Sequence, residues 1–193
     1  MPRTIFNTPV VSYLCHVLSK FALRLLGWEL CGEVPRQKKI MLIAGPHTSN
    51  WDFVLLLAVM FNHHMEIHWL GKHTLFKQPF RAITKWFGGI PVNRSQAANV
   101  TRQVVDVYQT SERLVVLITP EGTRSKVKEW KTGFYRIAEG AGIPIVLGFC
   151  DFSRKQVGFG PTFEPTGDLA KDLPLIKAFY EDKTGKNPEL GST

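Results

Sequence analysis

The sequence predicts an α/β fold: a single domain with a mixed, largely parallel central sheet flanked by helices, preceded by an amphipathic N-terminal helix. Three observations predict it. Short apolar runs at 39–44, 113–119 and 143–149 have the composition of strands buried on both faces. Helix-patterned segments alternate with them, the order that builds parallel sheets. The 193 residues, 44% of them hydrophobic, suffice for one well-buried core.

Residues 9–28 read as a two-faced helix. Val10, Val11, Leu14, Cys15, Leu18, Phe21, Leu25 and Leu26 recur at three- and four-residue steps, with Ser12, His16, Ser19, Lys20 and Arg24 largely opposite. Pro9 suits its first turn and Gly27 its end. Such a helix either packs on the domain or lies in a membrane surface. Two cations, Lys20 and Arg24, argue against a membrane span. Lys39–Ala44 is a buried strand that runs into Gly45-Pro46, and 53–61 reads as a buried helix. A second strand is expected at 67–70, a helix at 76–87 with Pro79 near its start, and a polar helix at 97–111. Arg113–Thr119 is a strand, 132–139 a helix ended by Gly140 and Gly142, and 143–149 another strand. Residues 157–163 alternate weakly, as in an edge strand. The tail from Asp172 holds one more helix before a disordered end near Gly191. The chain is expected to divide into an amphipathic, membrane-associating segment at 1–30 and a domain at 31–193.

The net charge of +8, from 24 Lys and Arg against 16 Asp and Glu, favours anionic partners. The cations are scattered, with no run that reads as a nucleic-acid tail. Cys15, Cys31 and Cys150 are odd in number and far apart, so neither a disulfide framework nor a zinc motif is expected, and a reducing compartment is. No cleavable signal peptide is evident. His63, His64 and His68 lack a companion ligand set, and no metal is expected.

The chemistry-bearing residues come in order along the chain. In Pro46-His47-Thr48-Ser49-Asn50-Trp51-Asp52, a strand-end loop carrying His47 and a helix capped by Ser49 or Asn50 would bring Asp52 to one ring nitrogen. The carboxylate then fixes the tautomer and leaves the other nitrogen as a base, the orienting logic of a Ser-His-Asp triad. No nucleophilic serine is required when the substrate brings its own hydroxyl. Arg94 closes Gly88-Gly89-Ile90-Pro91-Val92-Asn93-Arg94 as an anion contact. Glu121-Gly122-Thr123-Arg124-Ser125 follows a buried strand, where ligands of open α/β sheets gather. There Gly122 permits a tight turn, Thr123 offers a hydroxyl, and Arg124 offers a fork for phosphate. Glu121 is placed to accept from a hydroxyl or hold an arginine. The strand at 143–149 is core, with the lining of an acyl channel as a second role.

These four blocks resemble, in sequence and order, those of the glycerophospholipid acyltransferase family, of the 1-acylglycerol-3-phosphate acyltransferase (PlsC) type. The resemblance spans about residues 38–150. Gly71-Lys72-His73-Thr74-Leu75-Phe76-Lys77 is similar to the segment after the family's first block, where a lysine sits near the acceptor phosphate, and Lys72 matches it. This chain departs from the common pattern at Thr48-Ser49-Asn50-Trp51, Asn93 and Thr119. The resemblance implies a glycerol-3-phosphate acyltransferase-like fold. It also implies transfer of a fatty acyl group from a coenzyme A or acyl-carrier-protein thioester to a hydroxyl of 1-acyl-sn-glycerol-3-phosphate or a related lysolipid. His47 would be the base and Asp52 its orienting partner. Lys72, Arg94, Glu121, Gly122, Thr123 and Arg124 would bind the phosphorylated acceptor. No cofactor beyond the thioester co-substrate, no metal and no nucleic-acid partner is implied. The expected location is the cytoplasmic side of a membrane, peripheral or monotopic. A thioester hydrolase in which His47 activates water, and a non-catalytic lipid- or nucleic-acid-binding domain, are the competing readings.

Overall fold

A computed structural model describes residues 3–93 and 97–191. Six α-helices surround one mixed sheet in these residues. The chain order is α1 (Pro9–Leu25), β1 (Glu29–Cys31), β2 (Lys39–Gly45), α2 (Asn50–Asn62), β3 (His68–Lys72), α3 (Arg81–Trp86), β4 (Gly89–Val92), α4 (Ala97–Thr110), β5 (Leu114–Ile118), α5 (Gly133–Ala141), β6 (Ile145–Asp151), β7 (Gln156–Phe163) and α6 (Leu169–Ala178). The strands lie in the order β1-β7-β6-β2-β5-β3-β4. All neighbours are parallel except β6 and β7.

The apolar runs become the middle of the sheet. Ile40, Met41, Leu42 and Ile43 of β2 are fully buried, because β2 has β5 and β6 beside it and helices over both faces. One core layer packs Leu23 of α1 and Leu55, Leu56, Val59 and Met60 of α2 against one face. The other packs Val104 and Tyr108 of α4, Phe134 and Ile137 of α5, and Ile176 of α6 against the opposite face. Ile143, Ile145, Val146, Leu147 and Phe149 lie inside this core, and none of them lines the three cavities nearest His47.

Several elements depart from the sequence expectation. The segment 76–87 is not one helix: a 3-10 turn at His73–Phe76 and the short α3 flank Pro79, whose missing N–H and fixed φ interrupt a helix. β4 forms where Gly89 and Pro91 discourage a strand reading; as an edge strand it tolerates a residue without an N–H. β7 is not an edge strand, since the three-residue β1 covers it. The tail stays ordered on the body to Gly191, and Ser192 and Thr193 lie outside the described residues.

Helix α1 packs with its polar stripe inward. The ring Nδ1 of His16 lies 3.1 Å from the Phe61 carbonyl oxygen, and the Asn62 amide donates to Ser19 Oγ at 2.9 Å. Beside these, only Leu23 of the helix is buried. The apolar stripe therefore points away from the domain: Val10 is 71% exposed, Phe21 64% and Leu25 72%, with Leu14, Val17 and Leu18 between them. Lys20 and Arg24 flank this face and are exposed too. No helix among the described residues is long and apolar enough to cross a membrane.

Candidate active site

The site forms where β2 and β5 end, side by side. β2 delivers the loop 46–49, and α2 starts at once behind it. Ser49 is the N-cap and makes a capping box with Asp52: its hydroxyl accepts from the Trp51 N–H at 3.1 Å, while Asp52 takes the N–H of Ser49. The sequence left Ser49 and Asn50 open as caps; Ser49 fills the role. The cap pins the Asp52 carboxylate, which accepts from the Thr48 and Ser49 N–H groups at 2.7 and 2.8 Å and from the Ser49 hydroxyl at 3.0 Å. Oδ2 of this carboxylate lies 3.3 Å from Nδ1 of His47. With Nδ1 taken, Nε2 is the ring nitrogen left for chemistry. Asp52 is 7% exposed. Burial pushes its pKa up, but the hydrogen bonds from His47, Ser49 and Thr48 outweigh burial and hold it below the ordinary aspartate value.

Glu121 arrives from the end of β5. It is 1% exposed, and its Oε1 accepts the backbone N–H of His47 at 3.1 Å. Burial raises its pKa; the bond from His47 offsets this in part, and nearby Asp52 adds to the rise. Oε2 has no partner among the described residues. Gly122 makes the turn out of β5 with φ of +67°, a backbone conformation that suits glycine. The Thr123 hydroxyl accepts from the Ser125 N–H at 3.4 Å, and Arg124 reaches back to the Asn50 side chain at the start of α2. The first and third motif blocks thus share one mouth. Lys72 is exposed at the end of β3, with no hydrogen bond to the His47 loop. Arg94 lies outside the described residues.

Three cavities meet at this mouth. One of about 40 Å³ touches His47, Asp52, Phe53 and Thr119. An apolar groove of about 380 Å³ runs on from Phe53 and Leu117 between Leu57, Ile83 and Phe87, under α2 and α3. A cleft of about 730 Å³ opens on the other side of Leu117 and Thr119, toward α4 and α5.

Two contributors escape a reading of the sequence. Asn50 has no motif status until Arg124 is seen to bond it. The tail also braces the histidine loop: the Asn187 N–H donates to Thr48 Oγ1 at 3.2 Å, and its side-chain amide donates to the Thr48 carbonyl at 2.9 Å. Gly185 passes so close that a Cβ there would stand 2.6 Å from Thr48 Oγ1. A separation of 139 residues leaves no local signal for this contact.

Residues 30–146 match the family model described as Acyltransferase. The chain belongs to the acyltransferase family. A 1-acyl-sn-glycerol-3-phosphate acyltransferase of Haemophilus influenzae is 26% identical over 143 residues, covering 69% of this chain and 58% of that protein. The chain therefore spans just over half the length of this curated relative. In fold, this acyltransferase-family chain is similar to the crystal structure of the 1-acyl-sn-glycerophosphate (LPA) acyltransferase PlsC from Thermotoga maritima. The TM-score is 0.55 at 17% identity, covering 89% of this chain and 76% of that one.

Proposed function

We propose that this chain is an O-acyltransferase that works at a membrane surface. It would move a fatty acyl group from a coenzyme A or acyl-carrier-protein thioester to a hydroxyl of 1-acyl-sn-glycerol-3-phosphate or a related lysolipid, a step of phospholipid biosynthesis. The observation that carries this reading is His47 Nδ1 at 3.3 Å from Asp52, with Glu121 of the downstream block bonded to the His47 backbone. A binder has no use for an imidazole held in one tautomer beside a polar turn.

In the proposed reaction, Nε2 of His47 takes the proton of the acceptor hydroxyl. The oxygen attacks the thioester carbonyl carbon; the C–O bond forms, the C–S bond breaks, and the departing thiolate takes the proton from His47. Asp52 stabilises the imidazolium in between. Proximity of hydroxyl and thioester and a positioned general base supply most of the acceleration, so the proposed step uses no metal or acyl-enzyme. Arg124 and Thr123, with Lys72 and Arg94 of the neighbouring motif blocks, would hold the acceptor phosphate. Gly122 would shape the turn and Glu121 would brace the histidine loop.

Residues 1–30 would form the membrane-associating segment and 31–193 the acyltransferase domain, on the cytoplasmic side of the bilayer. The outward apolar face of α1 supports this. An unpartnered apolar stripe with flanking cations is the signature of a helix lying in the interface plane.

The test is product analysis with a labelled acyl thioester, with and without the lysolipid. A diacyl product only with acceptor supports the reading; free fatty acid in both cases makes the chain a hydrolase. Arg124→Ala should raise the acceptor KM by about tenfold or more, the worth of a hydrogen bond between charged groups, and leave the donor KM unchanged. Steady-state kinetics with each substrate varied in turn measures this.

A further inference from the structure

The sheet parts at one place. β3 pairs with β5 only at His68–Val116 and Trp69–Leu117. Beyond that, β5 continues beside Ile43 of β2, and β3 continues along β4 to Lys72–Val92. The 730 Å³ cleft opens between the parted strands, with α4 and α5 over it. Its walls are apolar, from Leu70, Val92, Val100, Ile118 and Ile137. Its rim is cationic, with Lys131 and Arg136 beside Thr132. Lys131 lies along Gly122: a Cβ there would stand 2.7 Å from its Nζ. Both cations are exposed, and neither has an ion-pair partner among the described residues.

Leu117 and Thr119 line both this cleft and the cavity of His47 and Asp52. Leu117 and Trp69 also line the apolar groove on the α2 side. A linear molecule laid past Leu117 would thus have a greasy groove at one end, His47 near its middle, and a cation-rimmed cleft at the other.

Resting on the acyl-transfer reading above, we propose that this cleft takes the phosphopantetheine arm of the acyl donor, with Lys131 and Arg136 on the phosphate of the arm. The chemistry fits end for end. The arm is a run of methylenes and amides that ends in one phosphate, and the cleft has apolar walls that end in two cations. Its volume falls in the range of small-molecule sites, about 300–1,000 Å³. Sidedness agrees: the outward apolar face of α1 and the groove lie with α2 on one face of the sheet, and the cleft lies under α4 and α5 on the other. A lipid and a water-borne donor would therefore approach from opposite faces. Arg124 turns away to Asn50, and neither it nor Lys72 lines the cleft, so donor and acceptor phosphates are held by different cations. Coenzyme A and acyl carrier protein present the same arm, which is the shared chemistry recognised here.

Calorimetric titration with thioethers, which cannot transfer, tests this without turnover. The probes are S-decyl-coenzyme A, acyl carrier protein bearing an S-decyl arm, and S-decyl-pantetheine, which lacks the phosphate. Lys131→Ala and Arg136→Ala should each weaken binding of the phosphate-bearing probes by about tenfold or more. Both should leave S-decyl-pantetheine unchanged, and Lys131→Arg should restore most of the loss. If the unmutated protein binds only one carrier, that carrier is the donor and must show this pattern. Unchanged affinity in Lys131→Ala overturns the proposal, as does an equal loss with S-decyl-pantetheine. A loss confined to S-decyl-coenzyme A when both carriers bind overturns it too, because the contact would then be to the nucleotide. A raised acceptor KM with donor affinity intact would move Lys131 to the acceptor. A protein that shows the predicted pattern yet transfers no acyl group keeps the cleft assignment and refutes the acyltransferase reading.

Discussion

His47 sits between two carboxylates that the fold tunes in opposite directions. Asp52, collecting two backbone N–H groups and a hydroxyl besides the imidazole, is held below the ordinary aspartate value of 3.8. Its contribution to stability is fully present above that value and is lost as pH falls through the lower folded-state pKa. Glu121 is buried and raised, so its linkage has the other sign: its contribution is fully present below the ordinary glutamate value of 4.5 and is lost as pH rises through the folded-state pKa. Glutamine in its place keeps an acceptor for the His47 N–H and removes the buried charge. Glu121→Gln should therefore be more stable than the parent at neutral pH, by on the order of 1 kcal/mol, with the gain fading toward about pH 4. Thermal denaturation of both proteins across that range measures it. The pair itself was legible in the sequence because His47 and Asp52 are five residues apart, within the reach of one helix cap. Arg124 bonding to Asn50 was not, because a motif states which residues matter and not which way an exposed guanidinium turns.

At the scale of elements, α1 shows what periodicity reveals and what it conceals. The three- and four-residue spacing predicts two faces but not which one packs. The deciding partners, the Phe61 carbonyl and Asn62, lie more than 40 residues away. Because the apolar side faces out, Phe21→Glu should leave Tm within about 1–2 °C, as exposed substitutions do, and cut binding to anionic phosphatidylglycerol vesicles by roughly tenfold. Vesicle sedimentation checks the second outcome and circular dichroism the first. The continuous runs of β2, β5 and β6 were legible for the same reason that they are buried, whereas β1 and β4 have three and four residues and form only because a neighbouring strand is present. The tail is the element whose role the sequence hides most. Asn187→Ala removes two hydrogen bonds to Thr48, a loss of about 1–2 kcal/mol. It should lower both the urea midpoint and kcat, since Thr48 presents its N–H to Asp52.

The whole molecule is a sheet with the exposed apolar stripe of α1 on one side and the cation-rimmed cleft on the other, and the proposed chemistry sits at the strand ends between them. α1 and α2 cover one face, α4, α5 and α6 the other, and the histidine loop lies at the strand ends between them. Four motif blocks in order carried the resemblance to the family, and the apolar runs alternating with helix-patterned segments predicted the α/β layers. The parting of β3 from β5, which makes the large cleft, depends on pairing register and carries no signature in composition. His47 remains the point on which the account turns, and single-turnover acyl transfer by His47→Ala tests it most directly. The rate should fall by about 10³-fold or more with Tm and vesicle binding retained, as expected for loss of an oriented general base. Transfer at the parental rate by the pure variant would contradict it.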